Sequence, residues 1–310
     1  MIFTDSAFLT LWGKCVAVVA NVRDESKSVR IAALPLSWLQ SSETNHWHYI
    51  TEISSMYVNE AGRLQDEKGS WVDVTSMTPP VAGTYTFVPN HGEYVTLSTG
   101  PIGNKLGSMP SMRHSGADDT KNSTSPTIAA RYQNNYLEGL LSRDGECIVS
   151  KEDYKGCVAA HIIPISRLDI WEQFDVVWPY LSPCGLFLSK RLHESWERYE
   201  WAFYPLGDGN LVVHYFYPSS DTDFAYYGKV VPRSHFRGSR ANYPSHKCLG
   251  WHYRQCVLMH LRGIAVREEP NAAVPETIWE ERRAMWSCDH GSGGPPLIFF
   301  CSSSHTYPRF

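Results

Sequence analysis

Short apolar runs and polar breaks succeed one another early in the chain. Residues 15–22 (CVAVVANV) and 29–36 (VRIAALPL) are runs rich in strand-forming residues, and the polar stretch 23–28 between them reads as a turn or short loop. Further short strands are expected at 47–51, 71–74 and 85–88, punctuated by Gly62, Gly69 and Gly83. Residues 1–99 therefore read as a small β-rich domain. His46 and His48 flank Trp47 and would share one face of a strand. With no third ligand nearby, a solvated strand face is the expectation, not a metal site.

The pattern then breaks. Residues 100–126 are rich in Gly, Ser, Pro, Asn and Asp, the composition of a linker or long surface loop, and the domain boundary is placed there. Pro126 follows Ser125 in a helix-start position, and Ile128, Tyr132, Tyr136 and Leu140 recur every four residues, as one face of a helix ending near Ser142. Short strands are expected at 147–149 and 156–165, followed by a loop over 167–183. Residues 184–200 begin apolar and become amphipathic, as a strand feeding a helix does. Strands at 201–205 and 211–217 flank the turn signal Gly207-Asp208-Gly209-Asn210. Leu249, Tyr253, Val257, Leu261 and Ile264 predict a long helix over 248–266, with a shorter one near 276–286 and a poorly ordered tail from 288 to 310.

Composition agrees with two folded units. A length of 310 residues fits about two domains, and 43% hydrophobic with 19% charged residues excludes a disordered chain. The 11 Trp, 17 Tyr and 12 Phe supply bulk enough for two cores. A net charge of −4 excludes a protein that coats nucleic acid through bulk positive charge, yet leaves room for a local basic cleft. No apolar run reaches the length of a membrane span. The first twenty residues carry Asp5 and Lys14 and read as a first strand, not a signal peptide. Eight scattered cysteines then fit reduced thiols in an intracellular protein of cytoplasm or nucleus. Without a secretion signal, the acceptor pattern Asn122-Ser123-Thr124 carries no weight.

One set of residues could do chemistry. His193 and Glu197 lie four apart on an expected helix, so they share a face and could share a cation. His161 lies on an expected strand beside the small Ala159 and Ala160. A general base next to a Lewis acid is what phosphodiester hydrolysis needs: one deprotonates water, the other neutralises charge on the phosphate. Spacing alone leaves the plainer reading open, a packed strand histidine and a solvated helical pair.

The stretch 143–216 resembles the HNH endonuclease family in its fungal form. The matching pieces are RDGECIVS (143–150), CVAAHIIPIS (157–166), CGLFLSKRLHESWERYEWAFYPL (184–206) and GNLVVHYF (209–216), with WHYRQCVLMHLRG (251–263) similar to the helix that follows the module. The resemblance implies a ββα-metal module. His161 is then the general base, and His193 and Glu197 hold one divalent cation, Mg²⁺ first, with Zn²⁺ or Mn²⁺ as alternatives. The implied reaction is cleavage of nucleic acid, DNA favoured. Three positions depart from the family pattern. Cys184 stands where the middle Asn is usual, Glu197 replaces an Asp or His, and Ala160 replaces an acidic residue or His. A module that binds nucleic acid or protein without cutting is therefore the alternative. Lys190, Arg191 and Arg198 on or beside the metal helix are candidate nucleic-acid contacts, as are Arg233, Arg237 and Arg240 beyond it.

Two further patterns look like ligand sets. Cys147, Cys157 and His161 lack the spacing of a zinc knuckle and are expected to pack in a core. Cys248, His252, Cys256 and His260 recur every four residues, but twelve residues of helix span about 18 Å, too far for one ion. They are expected to form a packed helix face. The fold class expected overall is α+β: a small β-rich N-terminal domain (1–99), a linker (100–126), then an HNH nuclease-like domain with flanking helices (127–287).

Overall fold

Strand β1 (Cys15–Ala20) forms within the first apolar run and alternates in burial: Val16, Val18 and Ala20 are fully buried and the residues between them are half-exposed. It pairs antiparallel with β2 (Val29–Pro35). Strands β3 (Gly62–Gln65) and β4 (Gly83–Pro89) complete a four-stranded sheet in the order β2-β1-β4-β3, with β1 and β4 parallel. The computed structural model describes residues 14–23, 25, 28–40, 42, 46–98, 128–174, 179–206, 208–216 and 221–261. The linker at 100–126, the helix near 276–286 and the tail from 288 lie outside these residues.

Two expected strands of this half differ. Residues 47–51 belong to a helix. The short α1 (Leu36–Gln40) is followed by α2 (Trp47–Ser55), which buries Trp47, Ile50 and Ile53 at three-residue spacing. His48 is exposed on α2 and His46 precedes it, so the two histidines do not share a strand face. Residues 71–74 contribute only an isolated bridge between Trp71 and Gln65. There Asp73 turns the chain by accepting the Thr75 N–H at 2.9 Å.

The second half opens with α3 (Ile128–Asp144), whose Tyr136 and Leu140 are buried. Residues 147–149 are buried but form a turn, closed by Lys151 N–H donating to the Cys147 carbonyl at 3.0 Å. β5 (Cys157–His161) and β6 (Gly185–Ser189) make a two-stranded antiparallel sheet, with the short α4 (Leu168–Gln173) between them. β6 runs directly into α5 (Lys190–Glu197). β7 (Trp201–Pro205), β8 (Leu211–Tyr215) and β9 (Val230–Val231) form an antiparallel sheet, with the single turn α6 (Asp221–Phe224) before β9. α7 (His246–His260) packs across β7. The fold is α+β.

The core does not divide where the composition changes. One cluster of buried side chains runs from Val16 to Leu261. Tyr49 and Tyr253 hydroxyls hydrogen-bond at 2.6 Å, Trp38 Nε1 donates to the Tyr215 carbonyl at 2.7 Å, and Tyr57 donates to the Val257 carbonyl at 3.2 Å. Burying these polar atoms requires those partners, so the two halves depend on each other.

Candidate functional site

The site starts from a backbone crossing. His161 ends β5 and pairs with Gly185 at the start of β6. Gly185 admits no side chain, because a Cβ there would lie 1.7 Å from the Tyr136 hydroxyl and 2.9 Å from the Ala160 carbonyl. That Tyr136 hydroxyl donates to the Ala160 carbonyl at 3.1 Å, so α3 is pinned across the strand pair next to His161. Arg143 fixes the same crossing from the other end. Its buried guanidinium pairs with Asp144 and donates to the carbonyls of Ser182, Gly185 and Asn242, while Asp144 accepts the Phe187 N–H. A buried ion pair is tolerated when its remaining donors and acceptors are satisfied in this way.

The His161 ring is held between aromatic groups. Tyr136 stacks on it at 4.5 Å between centroids, and Tyr180 stands edge-on at 5.3 Å. Trp196, on α5, donates its indole N–H to the His161 carbonyl at 3.3 Å and stacks face to face on His252 of α7 at 3.5 Å. The Nε2 atom of His161 is sealed from solvent and has no hydrogen-bond partner among the described residues. Burial, and then the nearby His193, pull its pKa down to about 4. The ring is therefore neutral at pH 7 and carries a free lone pair, the form a general base needs.

His193 and Glu197 occupy successive turns of α5, as the spacing predicts. His193 Nε2 lies 3.4 Å from Glu197 Oε1, with the histidine partly and the glutamate largely exposed. This pair fits a divalent cation. Two tetrahedral ligands at about 2.1 Å from one ion lie roughly 3.4 Å apart, and imidazole with carboxylate suits Zn²⁺, Mn²⁺ or Mg²⁺. Among the described residues no group of three or more His, Cys, Asp or Glu side chains gathers to hold a metal, so water or substrate would complete the coordination.

Cys184 does not face this pair. It is buried at the start of β6 and hydrogen-bonds the Cys248 thiol in the first turn of α7. That bond, and then burial, push the Cys184 thiol up, so it stays protonated and supplies no thiolate to a soft metal. Cys256 and His252 are likewise buried on the inner face of α7, where the recurrence of four placed them. Cys147 is buried and Cys157 donates to the backbone carbonyls of Glu152 and Asp153, as packed thiols do.

The basic candidates divide into two kinds. Arg191 is bound to Asp223 at 2.5 Å and Arg198 to Glu200 at 2.6 Å, so each already has a counter-charge. Lys190 is exposed at the start of α5. Arg233 and Arg240 line a cleft beyond the β7–β8 hairpin, and no acidic side chain is among its lining residues. Sequence reasoning placed Tyr136 only on a helix face and gave no role to Tyr180 or Trp196. Their roles come from contacts with His161 across 25, 19 and 35 positions of chain, which no local pattern encodes. No family model, curated protein or solved structure matches the chain.

Proposed function

We propose that the chain is a metal-dependent endonuclease of the HNH type that hydrolyses phosphodiester bonds in nucleic acid, DNA in the first instance. The observation that carries this reading is the neutral, unpartnered His161 ring nitrogen beside the His193–Glu197 pair. A bound divalent cation would neutralise charge developing on the scissile phosphate and its leaving oxygen. His193 Nε2 and Glu197 Oε1 would hold it on the exposed face of α5. His161 would take the proton from the attacking water. Tyr136 and Tyr180 pack against that imidazole, and the Trp196 bond to the His161 carbonyl holds its backbone. Because Nε2 is sealed in the free chain, a neighbouring side chain would have to move before a water reaches it, and the half-exposed Tyr180 is the candidate.

A second reading has its own observation. Cys184, at the position of the family's middle Asn, is engaged with Cys248 and so does nothing for the base. A module that binds nucleic acid without cutting it would have this arrangement. Nicking of supercoiled plasmid by purified protein, with Mg²⁺, Mn²⁺ or Zn²⁺ and with EDTA, decides between them. Metal-dependent nicking that disappears in His161→Ala supports the nuclease. A folded protein that fails to nick with any of these metals leaves the binding module.

A further inference from the structure

A cleft of about 450 Å³ opens beside the N-terminal end of α7, lined among others by Pro183, Arg233, Arg240, Tyr243, Ser245 and His246. Its volume lies within the range of small-ligand sites. Its charge is one-sided. Four other arginines are answered by acids, Arg143 by Asp144, Arg167 by Asp169, Arg191 by Asp223 and Arg198 by Glu200. Arg233 and Arg240 have no acidic partner among the described residues, and the cleft's lining contains two arginines, a histidine and no carboxylate. In a chain of net charge −4, two unanswered guanidinium groups in one concavity point to an anionic occupant.

The aromatic lining narrows the class. The Arg233 guanidinium lies 5.9 Å from the centre of the Tyr243 ring. A cation beside an aromatic face is the arrangement that binds a phosphate and a stacked base together in single-stranded nucleic acid. The backbone holds the two parts in register. Gly209 sits in the left-handed region at φ +87°, and a Cβ there would come within 3.1 Å of Arg233 Cδ, so the arginine lies flat on the turn. Asn210 accepts the Arg233 N–H at 2.8 Å and fixes the start of that segment. Ser245 caps α7, which adds the positive end of a 15-residue helix to the same side.

The cleft is also joined to the His161 crossing. The Pro183 carbonyl accepts the Ser245 N–H at 2.9 Å, and Arg143 ties the Ser182 carbonyl to the Asn242 carbonyl. Pro183 is two residues from Gly185, which pairs with His161, a chain distance of roughly 7 Å.

We propose that this cleft is a nucleic-acid binding site that seats a backbone phosphate between Arg233 and Arg240 and a base against Tyr243. It rests on the function proposed above only for the class of ligand. The test therefore runs in EDTA, where cutting cannot occur. Anisotropy of a fluorescein-labelled single-stranded oligonucleotide is titrated with the full chain over a series of salt concentrations. The Arg233→Gln/Arg240→Gln variant should bind about tenfold or more weakly, with the log–log salt slope reduced by roughly 1.4, the release expected for two single-strand phosphate contacts. Tyr243→Leu should weaken binding with the slope unchanged, because stacking releases no counterions. Arg233→Lys/Arg240→Lys should keep most of the slope, and Lys68→Gln on the distant N-terminal sheet should change nothing. Because the assay reads binding in EDTA, a failed nuclease reading would not touch this result. Unchanged affinity and slope in the double glutamine variant, with unaltered melting, overturns the proposal. So does competition by inorganic pyrophosphate at the same concentration as unlabelled oligonucleotide, which would mark a site for small anions.

Discussion

The Cys184 thiol hydrogen-bonds the Cys248 thiol, which joins the start of β6 to the first turn of α7. The pair accounts for a small thiol at this position. An amide there would be buried beside Cys248 and Tyr136, where a small soft side chain fits and two extra polar groups would need partners. Cys184→Asn is expected to lower stability by about 1–3 kcal/mol, the cost of a buried unsatisfied polar group, and to leave nicking no faster than before. Thermal melting with the plasmid assay checks both. A gain in nicking without loss of stability would show that the position serves the base after all.

The His193–Glu197 pair makes a separate prediction. If it holds a cation, His193→Ala and Glu197→Ala each remove one of its two protein ligands. Each is expected to weaken Mn²⁺ binding, read by calorimetry or electron paramagnetic resonance, by about tenfold or more. Glu197→Asp should weaken it less, because the carboxylate is kept and withdrawn by one methylene. Glu197 is largely solvated and His193 partly so, and the melting temperature without metal should move little, least for the glutamate variants. Equal Mn²⁺ affinity in all three variants would remove these residues from any metal site.

Acid stability follows from buried histidines away from the site. Burial lowers the pKa of His214 to about 3, of His252 to about 3 and of His260 to about 4. In the unfolded chain a histidine titrates near 6.5. Between about pH 6.5 and 3 the unfolded state therefore binds more protons than the folded one, and stability falls as pH falls through that window. Above pH 6.5 these groups are neutral in both states and cost nothing. Each is worth on the order of a few kcal/mol once the window is crossed, so urea midpoints should drop steeply between pH 6 and 4. His214→Phe should flatten the drop. A midpoint constant over that range would mean the histidines charge while buried.

Some of this was legible from residue order and some was not. The β1 run, the β7–β8 hairpin and the α7 stripe from Leu249 to Leu261 are local patterns and appear where residue order put them; α7 is described to His260, and Ile264 lies outside the described residues. Residues 47–51 misled because Trp, Tyr, Ile and Thr favour strands, and their three-residue burial spacing shows only when the window reaches Ile53. Residues 147–149 are as apolar as a strand, yet the turn back to Glu146 leaves them no strand to pair with. The spacing of His193 and Glu197 was readable because a helix turn is a local object. The walls around His161 were not, since Tyr136 and Trp196 reach it from separate elements. The continuous core was hidden for the same reason: Tyr49 and Tyr253 meet across 204 positions.

The low pKa of His161 has a removable cause, which gives the sharpest test of the site. Desolvation dominates the shift and His193 adds to it. Of the two rings beside the imidazole, Tyr136 is fully buried, whereas Tyr180 keeps partial exposure. Tyr180→Ala should let water reach Nε2 and raise the His161 pKa from about 4 toward the ordinary 6.5. The histidine ring-proton shift, followed by NMR titration, reads this directly. If His161 is the base, the acid limb of the pH–rate profile should rise by the same amount in the variant, because a base is silenced below its own pKa. A second variant, His193→Gln, removes the neighbouring imidazole that helps to hold the His161 pKa down and should raise it by a smaller step. If the ring pKa rises and the acid limb stays where it was, the proton is taken by another group and His161 only shapes the site.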